Sequence, residues 1–597
     1  MSHEPGHESQ TVTPQVIVLD TGGQYCHLIT RKIRELGVYS EIRASETPAA
    51  GLAGARAIVI SGGPSSVYEP GSPDVDPAIF GLGAAVLGIC YGQQLIAKHL
   101  GGVVAKGDRG EYGLAWLDTL ADGPLWRGVA GRQQIWMSHR DAVKTLPPGF
   151  ALLGSTETCP VAAIGDQARR FYGVQFHPEV VHTEHGRQIL SNFLFEIAGC
   201  EQDWNPHEQT LRIEEEIRRA AAGRKVFFFV SGGVDSTVAF TLCLRALGED
   251  RVRALYVDTG LMREGETEFV QGVFESLGRG LFAVEHAQQR FLGALASVTD
   301  PERKRHIIGE MFVSVQERIL ESGHYLEADW ILGQGTIYPD TIESGGTSKA
   351  DLIKTHHNRV AGIQKLIEQQ RIIEPLHLLY KDEVREVGRE LNLPQELLSR
   401  HPFPGPGLAI RCLCAAKREG VERREDGWLL PVRSVGVQGD SRSYRSVLLL
   451  EDSPASPGVH DKATHLINSL PEVNRVVALA ASVDPVSSMS VWPSEISAAR
   501  LDRLRAADAV VRRLSHASGF ESVVWQFPVV LIPFGTESRP DSIVLRPVHS
   551  IDGMTANSVT MPEPLLAEMI RQLLEIGGVA AVLYDLTHKP PGTIEWE

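Results

Sequence analysis

The stretch Val226–Ser236, VFFFVSGGVDS, decides how this chain is read. Five consecutive apolar residues, Val226–Val230, fit a strand buried on both faces. The following TVAFTLCLRALG (237–248) continues as a helix. Between them lie two glycines, Asp235 and the serines Ser231 and Ser236. Glycines let backbone N–H groups close around anionic oxygens, and a helix start adds the positive end of its dipole. The serines can donate hydrogen bonds, and Asp235 can hold Mg²⁺. The turn is not a Walker A loop, because GxxxxGK[ST] is absent. ALYVDTG (254–260) reads as the next strand, so a βαβ unit surrounds the turn.

The bulk numbers set bounds on the rest. A chain of 597 residues has room for three or four domains, and 43% apolar content supports ordinary cores. A net charge of −16 argues against general nucleic-acid binding, which needs basic surface, but leaves room for a local nucleotide pocket. The seven cysteines have no repeated spacing. Cys412 and Cys414 form a C-x-C without a second pair, a weak metal signal, so reduced thiols in the cytoplasm are expected. The N-terminal MSHEPGHESQTVTPQ lacks an apolar core, so no signal peptide is expected, and no run of 18 apolar residues offers a membrane span.

Residues 1–14 read as a disordered tail. VIVLD (16–20), AIVIS (57–61) and AVLGIC (85–90) alternate with helical patterns and predict a parallel α/β sheet over 15–200. The polar CEQDWNPHEQT (200–210) is a linker, and a second α/β domain runs over 201–405 to the breaker HPFPGPG (401–407). Residues 406–597 read as an α+β domain with two repeats, about 428–520 and 525–597. WLLPVRSVGVQGD (428–440) is similar to QFPVVLIPFGTES (526–538), and LINSLPEVNRVVAL (466–479) to LLEIGGVAAVLYDL (573–586).

A second chemistry is written near the N-terminal end. LGICYGQQL (87–95) sets Cys90 between an apolar strand and a glycine-flanked helix start, the pattern of a nucleophile elbow. A helix start favours a thiolate. FHPE (176–179) offers His177 as base and Glu179 to orient it and stabilise its charged form. SGGP (61–64) supplies an oxyanion N–H near Gly63, and Tyr91 N–H is the natural second donor. His139, in MSHRD, is a competing base. Cys26, Cys159, Cys200 and Cys243 read as packing residues.

SGGP, GxCYGxQ and FHPE, in this order, resemble the class I glutamine amidotransferases, and SGGVDS resembles the pyrophosphate loop of ATP pyrophosphatases. The first resemblance makes His139 a glutamine-pocket or domain-contact residue. GQGTIYPDTIES (333–344), IKTHHNRV (353–360), RIIEPLHLLYKDEVREVG (371–388), RHPFPGPGLAIR (400–411), LPVRSVGVQGDSRSY (430–444), SIDGMTA (550–556) and KPPGTIEWE (589–597) resemble glutamine-hydrolysing GMP synthetases, in their long, eukaryotic-like C-terminal form. The resemblance implies an amidotransferase domain, an adenine nucleotide α-hydrolase-like domain and an XMP-binding, dimerisation-type domain. It implies XMP, ATP and glutamine as ligands, with Mg²⁺ accompanying ATP. Ser231, Gly232, Gly233, Val234, Asp235 and Ser236 would hold pyrophosphate, with Asp235 on Mg²⁺. Lys381 would pair with phosphates and Asp258 would lie at the nucleoside. Arg305, Lys589, Ile594 and Glu595 would bind XMP, and the tail carrying the last three would need a ligand or partner to stay ordered. Glu343 could be a structural carboxylate. The protein would be a homodimer, or a monomer if the second repeat replaces the partner. The alternative is a sister amidoligase of the NAD or asparagine synthetase type. Thr21-Gly22-Gly23, Thr259, Arg140 and HHNRV depart from the family's usual residues.

Overall fold

The computed structural model describes residues 14–23, 25–338, 340, 361–400, 403–438, 441–550 and 556–597. The tail before Pro14, Glu343, IKTHHNRV, the start of HPFPGPG and residues 551–555 lie outside them. The chain forms two compact units, one ending at Arg212 and one beginning at Ile213.

In the first unit, β1 (Val16–Asp20), β2 (Ser40–Ala44), β3 (Ala57–Ile60) and β4 (Ala85–Ile89) are joined by β5 (Val103–Thr119), β6 (Arg132–Thr145), β7 (Ala151–Ser155), β8 (Ala163–Asp166) and β9 (Phe171–Val174). Among the described residues the sheet order is β2-β1-β3-β4-β9-β8-β7-β5-β6. The β2-to-β9 half is parallel, as the sequence predicts. From β9 onward every pair is antiparallel, which departs from an all-parallel reading. The departure is physical: β6 alternates exposed and buried positions and β5 alternates exposed and half-buried ones, so they need only one covered face. β3 and β4, buried throughout, need two. Helices α1 (Cys26–Arg34) and α2 (Tyr91–His99) belong to the parallel half.

In the second unit, β10 (Lys225–Val230), β11 (Val252–Asp258), β12 (Phe282–His286), β13 (Trp330–Gly333) and β14 (Ile372–Ile373) form a parallel sheet in the order β12-β11-β10-β13-β14. The chain order reverses at β10, so the turn after β10 stands at a topological switch point, where open α/β sheets bind ligands. A further mixed sheet orders Glu422–Arg423, Trp428–Gln438, Ser441–Leu450, Val473–Ser482, Val579–Asp585, Asp541–Leu545 and Val529–Ile532. Apart from its first short strand, the pairing reads antiparallel, parallel, antiparallel, parallel, antiparallel from either end. One hydrophobic core runs from Val257 and Phe291 beside the parallel sheet to Val476 and Val582 in the mixed one.

The last residues are built into this unit. Trp596 is fully buried, with its Nε1 donating to Asp585 Oδ2 at 2.9 Å and the Arg475 guanidinium over its ring. Arg475 and Arg546 both pair with the same Asp585 carboxylate, at 2.9 and 2.7 Å, with all three side chains at 0% exposure. Arg475 also donates to the Thr593 and Glu595 carbonyls, and Arg546 to those of Thr587, Thr593 and Ile594. The expectation that this tail needs a ligand or partner for order is therefore corrected: buried cations of the same unit hold it.

Burial by itself would raise the Asp585 carboxyl, but Arg546 and Arg475 hold it below the ordinary carboxylate range. Its contribution to stability is complete above the unfolded carboxylate pKa of about 4 and is lost as pH falls below it. Asp585→Ala leaves two buried cations without their carboxylate and should cost the unit about 3–5 kcal/mol, read as an earlier urea transition. The variant's stability should also fall less steeply than the parent's on acidification below about pH 4.

Candidate active sites

Cys90 follows β4 and caps α2 with φ +53° and ψ −104°, in a region that side chains rarely enter. Small neighbours permit that bend. A Cβ on Gly88 would lie 2.4 Å from the Gly92 carbonyl, and one on Gly92 would lie 2.2 Å from the Ile60 oxygen. The elbow therefore depends on glycine at both places. His177 follows β9, the neighbour of β4, and its ring shares the cavity with Cys90. Its Nδ1 lies 2.7 Å from Glu179 Oε1, and both side chains are nearly enclosed. Burial pulls the imidazole pKa down, but the Glu179 carboxylate and Cys90 outweigh it and hold the pKa well above the ordinary histidine value.

Gly63 and Tyr91 line the same cavity as Cys90 and His177, a space of about 620 Å³. Gly62 packs against the dyad so closely that a Cβ there would lie 3.1 Å from His177 Cε1 and 3.5 Å from Cys90 Cβ. Thr21, one of the departures noted in the sequence, is fully buried and its Oγ1 donates to the Gly62 carbonyl at 2.8 Å. It braces the glycine loop directly. His139 lies on the cavity wall, but its Nδ1 faces the Asp141 carbonyl at 2.9 Å and its Nε2 faces Glu111 at 3.3 Å. Its ring nitrogens are thus engaged away from the thiol, which favours His177 as the base. Cys159 is buried next to Glu111 and His139, and burial pushes its thiol up to about 12.

Two glutamines at this site carry no role in the sequence reading. Gln175 Nε2 donates to Cys90 Sγ at 3.4 Å, and Gln94 Nε2 donates to Gln175 Oε1 at 3.2 Å. Spacing was the available signal: Gln94 is one helical turn from Cys90, and Gln175 is two residues from His177 at a strand end.

In the second unit, the turn Ser231–Gly233 leaves β10 and enters the helix Val234–Leu247. Gly232 has φ +75°, and a Cβ on it would lie 2.3 Å from Val270 Cγ2. Ser231 Oγ accepts the Gly233 N–H at 3.2 Å, and Ser236 Oγ lies 3.4 Å from it. A Cβ on Gly335, after β13, would lie 2.9 Å from Ser236 N, so backbone also approaches the helix start from that side. Lys381 opens the helix Lys381–Glu390 and pairs with Asp235 Oδ2. Asp235 Oδ1 is enclosed and accepts no hydrogen bond from the described residues. An unpartnered carboxylate oxygen beside serine hydroxyls suits a hard cation, so these residues fit Mg²⁺.

Asp258 ends β11 and lines a second cavity of about 370 Å³ with Gly260, Arg263, Gln288 and Arg505. Its oxygens accept the Gly260 N–H at 2.9 Å and Gln288 Nε2 at 2.6 Å, so it shapes the loop that walls this space. The four XMP-binding candidates are spread differently. Arg305 donates to the Glu597 carbonyl, while neighbouring Lys304 pairs with the Glu597 carboxylate at 2.6 Å. Arg411 grips Glu595 with two bonds of 2.8 and 2.7 Å. Ile594 is held through its carbonyl by Arg546. Lys589 is held by backbone pairing with Ala556.

Residues 17–197 match the family described as glutamine amidotransferase class-I, residues 207–293 match NAD synthase, and residues 515–596 match the GMP synthase C terminal domain. A probable glutamine-hydrolyzing GMP synthase of Leptospira interrogans is 42% identical over 610 residues, covering 98% of this chain and 99% of its own. A glutamine-hydrolyzing GMP synthase of Thermobifida fusca is 40% identical over 604 residues, covering 98% of both chains. That of Symbiobacterium thermophilum is 41% identical over 587 residues, covering 98% of this chain and 99% of its own. Since the likeness runs through all the elements that build both sites, the chain belongs to the glutamine-hydrolysing GMP synthase family.

Proposed function

We propose that this chain makes GMP from XMP, ATP and glutamine. The observation that carries the reading is the pairing, in one chain, of a buried Cys90–His177–Glu179 constellation with the SGGVDS turn at a sheet switch point. Cys90 thiolate attacks the glutamine side-chain carbonyl, and the N–H groups of Gly63 and Tyr91 receive the oxyanion. His177 gives its proton to the departing ammonia, and Glu179 stabilises the charged ring until then. Water, deprotonated by His177, then cleaves the thioester to glutamate. In the second half, the xanthine O2 attacks the α-phosphorus of ATP and pyrophosphate leaves. Ammonia adds at C2 and AMP departs, giving GMP.

Ser231, Gly232, Gly233, Val234 and Ser236 cradle the pyrophosphate, and Lys381 offsets its charge. Mg²⁺ bound at Asp235 would supply charge neutralisation on the phosphate oxygens. Asp258 shapes the nucleoside pocket, while Arg305, Lys589, Ile594 and Glu595 form the XMP end. The C-terminal match to GMP synthase favours XMP over the carboxylate acceptors of NAD or asparagine synthetase types.

The mirrored strand pairing of the mixed sheet supports a duplicated unit. Such a unit could occupy a partner's place and leave the chain monomeric, with a homodimer as the other outcome of a mass measurement. No helix among the described residues is long and apolar enough to cross a membrane, and we place the enzyme in the cytoplasm.

The direct test is pyrophosphate, AMP and GMP formation from XMP, ATP and glutamine. Release of pyrophosphate with nicotinate adenine dinucleotide or aspartate, and none with XMP, would reject the reading. Cys90→Ala should lower glutamine-dependent synthesis by about 10⁴-fold or more while synthesis from free ammonia stays near the parent rate. Loss of both would break the two-site assignment. Asp235→Ala should lower both by at least about 10²-fold, because adenylation precedes either amine source.

A further inference from the structure

Gln175 is fully buried one residue past β9, and its amide is oriented by a directional chain of hydrogen bonds. The chain starts at the Asp141 backbone carbonyl, which can only accept. Gln94 Nε2 donates to it at 2.9 Å and, with its second hydrogen, to Gln175 Oε1 at 3.2 Å. That fixes which end of the Gln175 amide is oxygen, so its Nε2 must face Cys90 Sγ, at 3.4 Å. From the other side, the Ser138 carbonyl stands 3.7 Å from the same sulfur and accepts the thiol hydrogen.

These two contacts respond oppositely to ionisation. The Ser138 carbonyl can bond only the protonated thiol. The Gln175 N–H bonds the thiolate more strongly than the thiol, because hydrogen bonds to an ionised acceptor are about twice as strong. We propose that Gln175 is a further catalytic residue of the glutaminase, a neutral donor that stabilises the Cys90 thiolate in parallel with His177. Gln94 is its positioning residue. The inference rests on the glutaminase reading given above.

The other groups around the sulfur stay constant when Gln175 is changed. They are His177 with Glu179 behind it, Cys159 with Glu111 and His139, and Glu69, Lys106, Arg140, Asp141 and the tyrosines Tyr25, Tyr68, Tyr91 and Tyr112 on the cavity wall. A difference between variant and parent therefore reports the amide.

The experiment is the pH dependence of iodoacetamide alkylation at Cys90 in the full-length protein, with the modified peptide identified by mass spectrometry. Gln175→Met keeps the side-chain length and removes the donor. Its alkylation midpoint should move up by about one pH unit. Gln94→Met keeps Gln175 but frees its orientation, and should move the midpoint in the same direction by less. Purely structural damage would lower the amplitude or the melting temperature without moving the midpoint. Unchanged midpoints in both variants would overturn the proposal while leaving the glutaminase intact. If Gln175→Met does not fold, the Gln94→Met midpoint decides the matter. A parent protein that releases no glutamate from glutamine would instead remove the reading on which the proposal stands.

Discussion

A strand that runs straight into a helix leaves peptide N–H groups at the junction without partners, and both sites are built on that constraint. At the β4–α2 junction the chain turns through Cys90 at φ +53°, with Gly88 and Gly92 too close to their surroundings to carry side chains. At the end of β10 the turn passes through Gly232 at φ +75°, again against a neighbouring side chain. Bent backbone and the N–H groups of a helix's first turn come together in each case. One junction presents a nucleophile beside oxyanion donors. The other presents donors alone, which suits the anionic cargo proposed for it rather than an acyl group.

The C-terminal residues follow a different logic. Burying Arg411, Arg475, Arg546 and Lys304 is unfavourable in isolation, and packed apolar side chains would stabilise the core as well or better. The arrangement instead specifies geometry. Asp585 fixes two guanidinium planes, and these read out successive carbonyls from Thr587 to Glu595. Arg411 then sets the Glu595 carboxylate by two parallel bonds. An apolar core could hold this segment, but could not dictate where each carbonyl points.

What the sequence made legible was local and periodic. VFFFV, AIVI and AVLGI are apolar runs with glycine punctuation, and each is a strand leading to a turn as read. Cys90, His177 and Glu179 were legible because their residue types are chemically rare in such settings. The antiparallel half of the first sheet was not, since IWMSHRD (135–141) says neither which strand it pairs with nor in which direction until its pairing with β5 is seen. Nor was the order of the tail, because its partners Arg411, Arg475 and Arg546 lie up to 184 residues away. Thr21 and Gln175 stayed hidden for a related reason. An ordinary polar residue acquires a role only from what long-range folding places beside it.

Gln175 also shows why a neutral donor suits this thiol. A lysine or arginine at that position would stabilise the thiolate by full charge in a low-dielectric pocket. Thiolate nucleophilicity declines as the sulfur becomes a weaker base, so a fixed cation would ionise the nucleophile and blunt it together. It would also compete with His177 for the thiolate, and His177 must hold a proton long enough to pass it to ammonia. An amide avoids both problems. It contributes roughly one charge-assisted hydrogen bond, about 1.5–3 kcal/mol, and cannot itself exchange a proton. In the proposed mechanism the labour divides accordingly: the imidazolium moves the proton, and the amide lowers the cost of the charge left behind.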